Sequence, residues 1–159
     1  MFNPESFFTI DPGTPFGWAF WTDKWIRPIC FGCETCDGEN WERRTDQAAN
    51  RLRLRIRDCS PKAVYCERPT YMPGRAAAAS GSFEKLCMLT GRFTEVVYRF
   101  DIPFIFVPVR DWMGQMTDVA IRHRVGRILG EEFTKSIPAH AIDAVGIGLH
   151  LLGRWQNVE

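Results

Sequence analysis

Apolar residues near the start of the chain form short runs bounded by turn-forming residues. The runs Phe7 to Ile10 and Phe16 to Trp21 are separated by Asp11-Pro12-Gly13-Thr14, which predicts a β-hairpin. A third strand is predicted from Trp25 to Phe31, with Pro28 favouring an edge position because proline has no N–H to donate to a neighbouring strand. We therefore expect three antiparallel strands at the start of the fold.

The next segments alternate between helical and strand patterns. From Trp41 to Cys59 the apolar positions recur every three or four residues, although the stretch RLRLRIR inside it also alternates as a strand would. The length of the segment favours a helix. A short apolar run from Ala63 to Cys66 then predicts a fourth strand, and this strand places Glu67 at its end.

The second half predicts three helices and one further strand. A helix is expected from Gly74 to about Phe100, then a strand from Phe104 to Val107. Two more helices follow, one capped by Thr117 and running to about Phe133, the other with Pro138 in its first turn and running to about Leu152. The order β-β-β-α-β-α-β-α-α predicts an α/β fold with a five-stranded mixed sheet. The later strands are expected to be parallel to the first because helical crossovers join them, with helices covering both faces.

Composition changes this picture only a little. With 159 residues and 45% hydrophobic composition, the chain is long enough for one core, and we expect a single domain over residues 1–159. Neither a secretory signal nor a long apolar run is evident, so we expect a cytoplasmic protein with no membrane partner. The net charge of +1 does not indicate nucleic-acid binding. Residues 51–80, however, hold seven basic and two acidic side chains, which suits either a phosphate-binding surface or a solvated helix face.

Acidic residues at the ends of predicted strands are the main candidates for chemistry. Asp11 and Glu67 each follow an apolar strand, and adjacent parallel strands would bring both to one edge of the sheet, where their repulsion favours a bound cation. His140 and Asp143 are three residues apart and share one helix face. Such a donor set suits two Mg²⁺ or Mn²⁺ ions and phosphodiester hydrolysis, with Asp11 bridging the ions. His140 can be a ligand or a general acid or base. Each residue alone also fits an ordinary role in a turn, an ion pair or a helix end.

Three sequence segments resemble the RuvC family of Holliday-junction resolvases. The run FFTIDPGTPFGWAFW resembles the family's first hairpin, AVYCERP its fourth strand and HAIDAVGIGLHLLG its final helix, so that the match spans about residues 5–153. The resemblance implies a ribonuclease H-like fold, a homodimer, dependence on Mg²⁺ or Mn²⁺, and paired nicks across four-way DNA junctions. It makes Asp11, Glu67 and Asp143 the acidic catalytic positions, and His140 falls where some members have Asp and others His. The short length and divergent middle are similar to bacteriophage members of the family.

The same resemblance suggests residues that contact DNA. Tyr71, with Met72 as the second choice, lies where the family has an apolar residue that helps to open the junction, although an ordinary loop aromatic fits equally well. The arginines expected to contact phosphates are Arg68, Arg75, Arg122, Arg124 and Arg127. The arginines of RLRLRIR are weaker candidates, because side chains spaced by two cannot share one helix face.

Three cysteines lie outside the family pattern. Cys30, Cys33 and Cys36 have a spacing that can bind zinc with Cys59 or a residue of a partner chain as the fourth ligand, but free thiols are the favoured interpretation because no second CxxC pair is present.

The leading hypothesis is a metal-dependent endonuclease that resolves Holliday junctions and other branched DNA. The alternatives are a ribonuclease H-like nuclease acting on RNA–DNA hybrids, a junction-binding protein without catalytic activity, and an unrelated α/β enzyme with no affinity for DNA. Cleavage and binding assays with these substrates separate the four hypotheses.

Overall fold

The computed structural model describes residues 5–70 and 82–155. Its strands are Ser6–Asp11 (β1), Phe16–Thr22 (β2), Cys30–Glu34 (β3), Val64–Glu67 (β4) and Phe104–Val107 (β5). Its helices are Trp41–Cys59 (α1), Ser82–Tyr98 (α2), Val109–Trp112 (α3), Asp118–Leu129 (α4), Glu131–Lys135 (α5) and Ala141–Leu151 (α6). None of these helices is long and apolar enough to cross a membrane.

The five strands form one sheet in the order β3-β2-β1-β4-β5. The neighbours β1 and β2, and likewise β2 and β3, are antiparallel. The strand β4 is parallel to β1, and β5 is parallel to β4. This arrangement confirms the predicted mixed sheet, including the parallel direction of the strands that follow helical crossovers.

Side chains alternate between the two faces of the sheet and build a core on each side. On one face Phe8 and Ile10 pack with Leu52 of α1 and Phe93 of α2. On the other face Phe7 and Trp21 pack with helix residues including Ile121, Val125 and Ile147. Helices therefore cover both faces, as predicted.

The first helix has the predicted bounds, and its packing resolves the ambiguity of RLRLRIR. Leu52 and Ile56, four residues apart, are buried, whereas Leu54 between them is 39% exposed. A strand would have buried or exposed all three together. The helix begins after Asn40, whose side chain accepts a hydrogen bond from the Arg43 N–H at 2.9 Å.

The predicted third strand is wrong in its position, although its edge location is confirmed. The strand begins at Cys30 and ends at Glu34. The residues before it connect β2 to β3, and Trp25, Ile26 and Ile29 among them are 60%, 45% and 52% exposed. Their aromatic and β-branched side chains favour a strand locally, but in the structure these side chains are exposed and do not pack on the core.

The helices of the second half differ from prediction at their ends. Thr117 is the N-cap of α4 as expected and accepts from the Ala120 N–H at 3.3 Å, but the helix ends at Leu129 because Gly130 has a φ of 96° and starts a separate short helix. The last helix begins at Ala141, three residues after Pro138. The short helix α3 was not predicted. The first part of the helix predicted from Gly74 lies outside the described residues, and α2 ends at Tyr98.

Candidate active site

Two of the predicted acidic residues lie side by side at one edge of the sheet, namely the edge formed by the carboxyl ends of β1 and β4. Asp11 is the last residue of β1 and Glu67 is the last residue of β4. In the parallel ladder between these strands Ile10 pairs with Cys66, so the next residue of each strand is one of the two acids. Both side chains are partly buried. The predicted juxtaposition is therefore confirmed at the level of strand register.

The start of α6 comes to the same edge because Gly17 leaves room for it. Gly17 of β2 pairs with Asp11. A Cβ atom at Gly17 would overlap the carbonyl of His140 and lie 2.8 Å from the Ala141 nitrogen. Only a residue without a side chain permits this approach, which puts His140 and Asp143 next to the strand that carries Asp11. In the sequence, the sign of this close approach is a single glycine within an apolar strand.

Buried hydrogen bonds fix α6 against the sheet. The Thr9 hydroxyl of β1 donates to the Ala144 carbonyl at 2.8 Å, and the Trp21 indole N–H donates to the Thr9 oxygen at 3.0 Å. Gly148 further along the helix contacts the Trp21 ring where a Cβ would overlap it. The position of Asp143 relative to Asp11 therefore depends on polar and steric constraints along the whole helix.

The carboxylates of the site destabilise one another's charge. Burial raises the pKa of Asp11 well above its ordinary value, and the charges of Glu67, Asp143 and Asp118 raise it further. Burial and then the charge of Asp143 raise the pKa of Glu67 to about 7. Burial and then the charge of Asp118 raise the pKa of Asp143 to about 6, while His140 and Arg122 act in the opposite direction. A cation bound beside these carboxyl groups would stabilise their ionised forms and lower their pKa values.

The predicted metal ligands are present near one another, but their side chains do not form a metal-binding arrangement in this structure. Across residues 5–70 and 82–155, no three His, Cys, Asp or Glu side chains are placed so that they could together hold a metal ion. The chemistry of the set still fits Mg²⁺ or Mn²⁺, because its members are oxygen donors at one edge of the sheet whose pKa values are raised by burial and by one another's charge.

Two residues near the carboxylates were missed by the sequence analysis. Asp118, in the first turn of α4, is exposed and raises the pKa of both Asp11 and Asp143. Trp112 is 2% exposed, and its indole N–H has no acceptor within hydrogen-bonding geometry. It is nevertheless close enough to Glu67 to lower the pKa of that carboxyl. The sequence pattern marks Asp118 only as a helix-start acid and Trp112 only as apolar.

His140 lies immediately before α6 with an exposed side chain. Its charge lowers the pKa of Asp143, and its role at the site stays a prediction.

The predicted DNA-contacting arginines occupy different environments. Arg68 follows β4 and is exposed, and with Arg110 it lines an open cavity of about 440 Å³ at the ends of β4 and β5. Arg122 donates to the carbonyls of Thr134 and Ile137 at 3.3 and 3.4 Å. Tyr71, Met72 and Arg75 lie outside the described residues.

Two further arginines of the predicted DNA-contacting set lie on α4, and two arginines of RLRLRIR contact a buried acid. Arg124 stacks on Trp155 with its guanidinium 5.3 Å from the ring centre. Arg51 and Arg55 of α1 contact the buried carboxylate of Glu34 at 3.3 and 2.6 Å. Arg127 is exposed in the last turn of α4.

The cysteines do not form the zinc site considered above. Cys30 and Cys33 lie three residues apart in β3 and so project from opposite faces of the sheet. Cys30 is partly buried and packs against the core beneath α1, and its sulfur lies 4.0 Å from that of Cys59. A tetrahedral set that includes both Cys30 and Cys33 is therefore not available.

Comparison with known proteins identifies the fold. No protein-family model matches the chain, and no curated protein is similar to it in sequence. Two structures of Thermus thermophilus RuvC match it, one of them in complex with a Holliday-junction substrate. The complex has a TM-score of 0.72 and 18% identity over 95% of this chain and 96% of that one. The second has a TM-score of 0.71 and 19% identity over 94% and 95%. The chain has the ribonuclease H-like fold of these proteins.

A third structure extends the likeness beyond bacteria. The yeast mitochondrial Holliday-junction resolvase matches with a TM-score of 0.62 and 16% identity over 98% of this chain and 81% of that one. These matches confirm the fold implied by the sequence motifs. None of the three structures is described as a bacteriophage protein, so the predicted similarity to bacteriophage members is not supported.

Proposed function

We propose that this chain is a metal-dependent endonuclease that cuts four-way junctions and other branched DNA. The observation that carries the proposal is the position of Asp11, Glu67 and Asp143 at one sheet edge, where burial and mutual repulsion raise their pKa values. The fold supports it, because one protein with this fold has been solved with a Holliday-junction substrate. Carboxyl groups with strongly raised pKa values cluster at catalytic and metal-binding sites.

Asp11, Glu67 and Asp143 are the residues that would hold Mg²⁺ or Mn²⁺. When bound there, a pair of such ions supplies the positive charge that phosphodiester hydrolysis by water requires. Asp11 interacts with both other acids and is held in a strand with neighbours on each side, so it is the least replaceable member. His140, exposed beside Asp143, serves as a further ligand or exchanges a proton with a reacting oxygen. Metal stoichiometry in His140→Ala separates these two roles.

Basic side chains around this edge would hold the DNA backbone. Arg68 and Arg110 line the cavity beyond Glu67 and offer exposed guanidinium groups to a phosphate. We extend the proposal to Arg75, Arg127 and Tyr71, with Tyr71 opening the junction centre. Arg122 and Arg124 also remain candidates for phosphate contact, although their guanidinium groups already contact neighbouring protein atoms. A homodimer would supply the second active site needed for paired cuts.

Cleavage of defined DNA substrates tests the proposal. Purified protein with Mg²⁺ is incubated with labelled four-way, flap and linear DNA and with an RNA–DNA hybrid. We expect cleavage of the branched forms, its loss in Asp11→Asn, and its retention in Asp23→Asn, which changes an exposed acid in the turn after β2. Equal cutting of linear duplex would refute selectivity for branched DNA, and cutting of the hybrid alone would favour a ribonuclease H activity.

A junction-binding protein without catalytic activity is the second candidate. The observation that favours it is the absence, among the residues described, of three side chains arranged to hold a metal ion. This alternative predicts tight binding of four-way DNA with no cleavage in Mg²⁺ or Mn²⁺, and binding that Asp11→Asn leaves unchanged.

A further inference from the structure

The thiols of Cys30 and Cys59 form a contact between two different elements of the fold. Cys30 is the first residue of the edge strand β3, and Cys59 is the last residue of α1. Their sulfur atoms are 4.0 Å apart, although the residues are 29 positions apart in sequence. A disulfide requires the sulfurs to close to about 2.05 Å, a movement of roughly 2 Å that side-chain rotation at two element ends can provide.

The surroundings of the pair favour one reactive thiol and one resolving thiol. The hydrogen bond that Cys30 shares with Cys59 lowers the pKa of Cys30 to about 7 against the opposing effect of burial, and the charge of Arg55 lowers it further. The same hydrogen bond and burial raise the pKa of Cys59, so its proton is retained. Cys30 is therefore partly thiolate at neutral pH, and the thiolate is the form that reacts with oxidants.

Arg55 is held in place by contacts that do not involve the cysteines. Its Nε donates to the buried carboxylate of Glu34 at 2.6 Å, and its guanidinium lies 4.9 Å from the centre of the Trp18 ring. This keeps a positive charge beside the two sulfurs. Burial instead raises the pKa values of Cys33, Cys36 and Cys66.

From this geometry we infer that Cys30 and Cys59 are a modification site, where a peroxide closes a reversible disulfide joining β3 to the end of α1. The Cys30 thiolate attacks one peroxide oxygen, the O–O bond breaks, and hydroxide leaves with Cys30 as a sulfenic acid. The Cys59 sulfur then attacks the Cys30 sulfur and loses its proton, the S–O bond breaks, and water leaves. Overall two thiols are oxidised, one hydrogen peroxide is reduced, and two waters form.

Peptide mapping tests the site directly. Reduced full-length protein is treated with one equivalent of hydrogen peroxide, its remaining thiols are alkylated, and it is digested without reduction for mass spectrometry. We expect one dominant linked peptide pair containing Cys30 and Cys59, which dithiothreitol removes. Recovery of both residues as alkylated thiols, or a dominant link between any other cysteines, would overturn the inference.

Two variants and a melting measurement sharpen the result. Cys87→Ser removes an exposed thiol and should leave the link unchanged. Cys59→Ser should instead leave Cys30 as a sulfenic acid that dimedone traps. Closing a loop of this length should raise the Tm of the oxidised wild type by roughly 5 to 10 °C over the reduced form. A Tm that does not rise on oxidation would contradict the inference even if the variants fail to fold.

Discussion

Replacing Gly17 with alanine tests how the candidate site is assembled. The new Cβ would overlap the His140 carbonyl and lie 2.8 Å from the Ala141 nitrogen, both of them backbone atoms. The start of α6 must then move away from β2. The helix cannot move freely, because Ala144 accepts a hydrogen bond from Thr9 and Gly148 packs on Trp21. Overpacking of this kind costs about 3 kcal/mol, which corresponds to a fall in Tm of roughly 6 to 12 °C.

The matched control is Gly91→Ala in α2, where a Cβ would meet nothing within 4 Å. Alanine there should stabilise the protein by about 0.5 to 1 kcal/mol because it favours the helix. Both variants are compared with wild type by thermal unfolding and by cleavage of four-way DNA. We expect Gly17→Ala to lose stability and most of its activity, because Asp143 moves away from Asp11. A Gly17→Ala protein with unchanged Tm and activity would refute this account of the site.

Three further predictions concern charge. The pKa values of Asp11, Glu67 and Asp143 are raised in the folded state, so their protonated forms stabilise metal-free protein at low pH. This stability is lost as pH rises through about 6 for Asp143 and about 7 for Glu67. The Tm in EDTA should therefore fall from pH 5 to pH 8, and Mg²⁺ should raise it more at pH 8; a Tm independent of pH in EDTA would contradict this. Trp112→Phe removes the N–H that lowers the pKa of Glu67, so the pH midpoint of Mn²⁺ binding should shift upward. An unshifted midpoint would exclude an effect of Trp112 on Glu67. Glu34→Gln weakens a buried carboxylate's contacts with Arg51 and Arg55, whose side chains are 44% and 42% exposed, so we expect a loss of only about 1 to 2 kcal/mol in chemical denaturation. The exposed-pair control Glu95→Gln should cost less than about 1 kcal/mol, and equal losses would show that the burial of Glu34 does not matter.

Local patterns predicted the sheet well because its strands are short apolar runs between clear turns. The hairpin, the parallel fourth and fifth strands and the bounds of α1 all follow from periodicity and from the need for crossovers to be helical. The third strand was misplaced because Trp25 and Ile29 favour strands locally, whereas tertiary packing gave the edge position to residues 30–34. The end of α4 at Gly130 was missed because a glycine inside a helical pattern is also tolerated.

The candidate site was predictable only in part. The neighbouring positions of Asp11 and Glu67 follow from two parallel strands that end at the same edge. The contributions of Trp112 and Asp118 depend on how α3 and α4 pack near that edge, and no spacing in the sequence encodes this. The zinc hypothesis failed for a simple reason: the CxxC spacing falls on a strand, where residues three apart face opposite sides.

The most direct test of the proposed site is anomalous diffraction from crystals grown with Mn²⁺. We predict anomalous density within ligating distance of Asp11 and of at least one of Glu67 and Asp143, with the carboxylates drawn together around it. Density in crystals of Asp11→Asn should be lost or strongly reduced. Well-diffracting wild-type crystals with no anomalous density near Asp11 would contradict the claim that these acids share divalent ions.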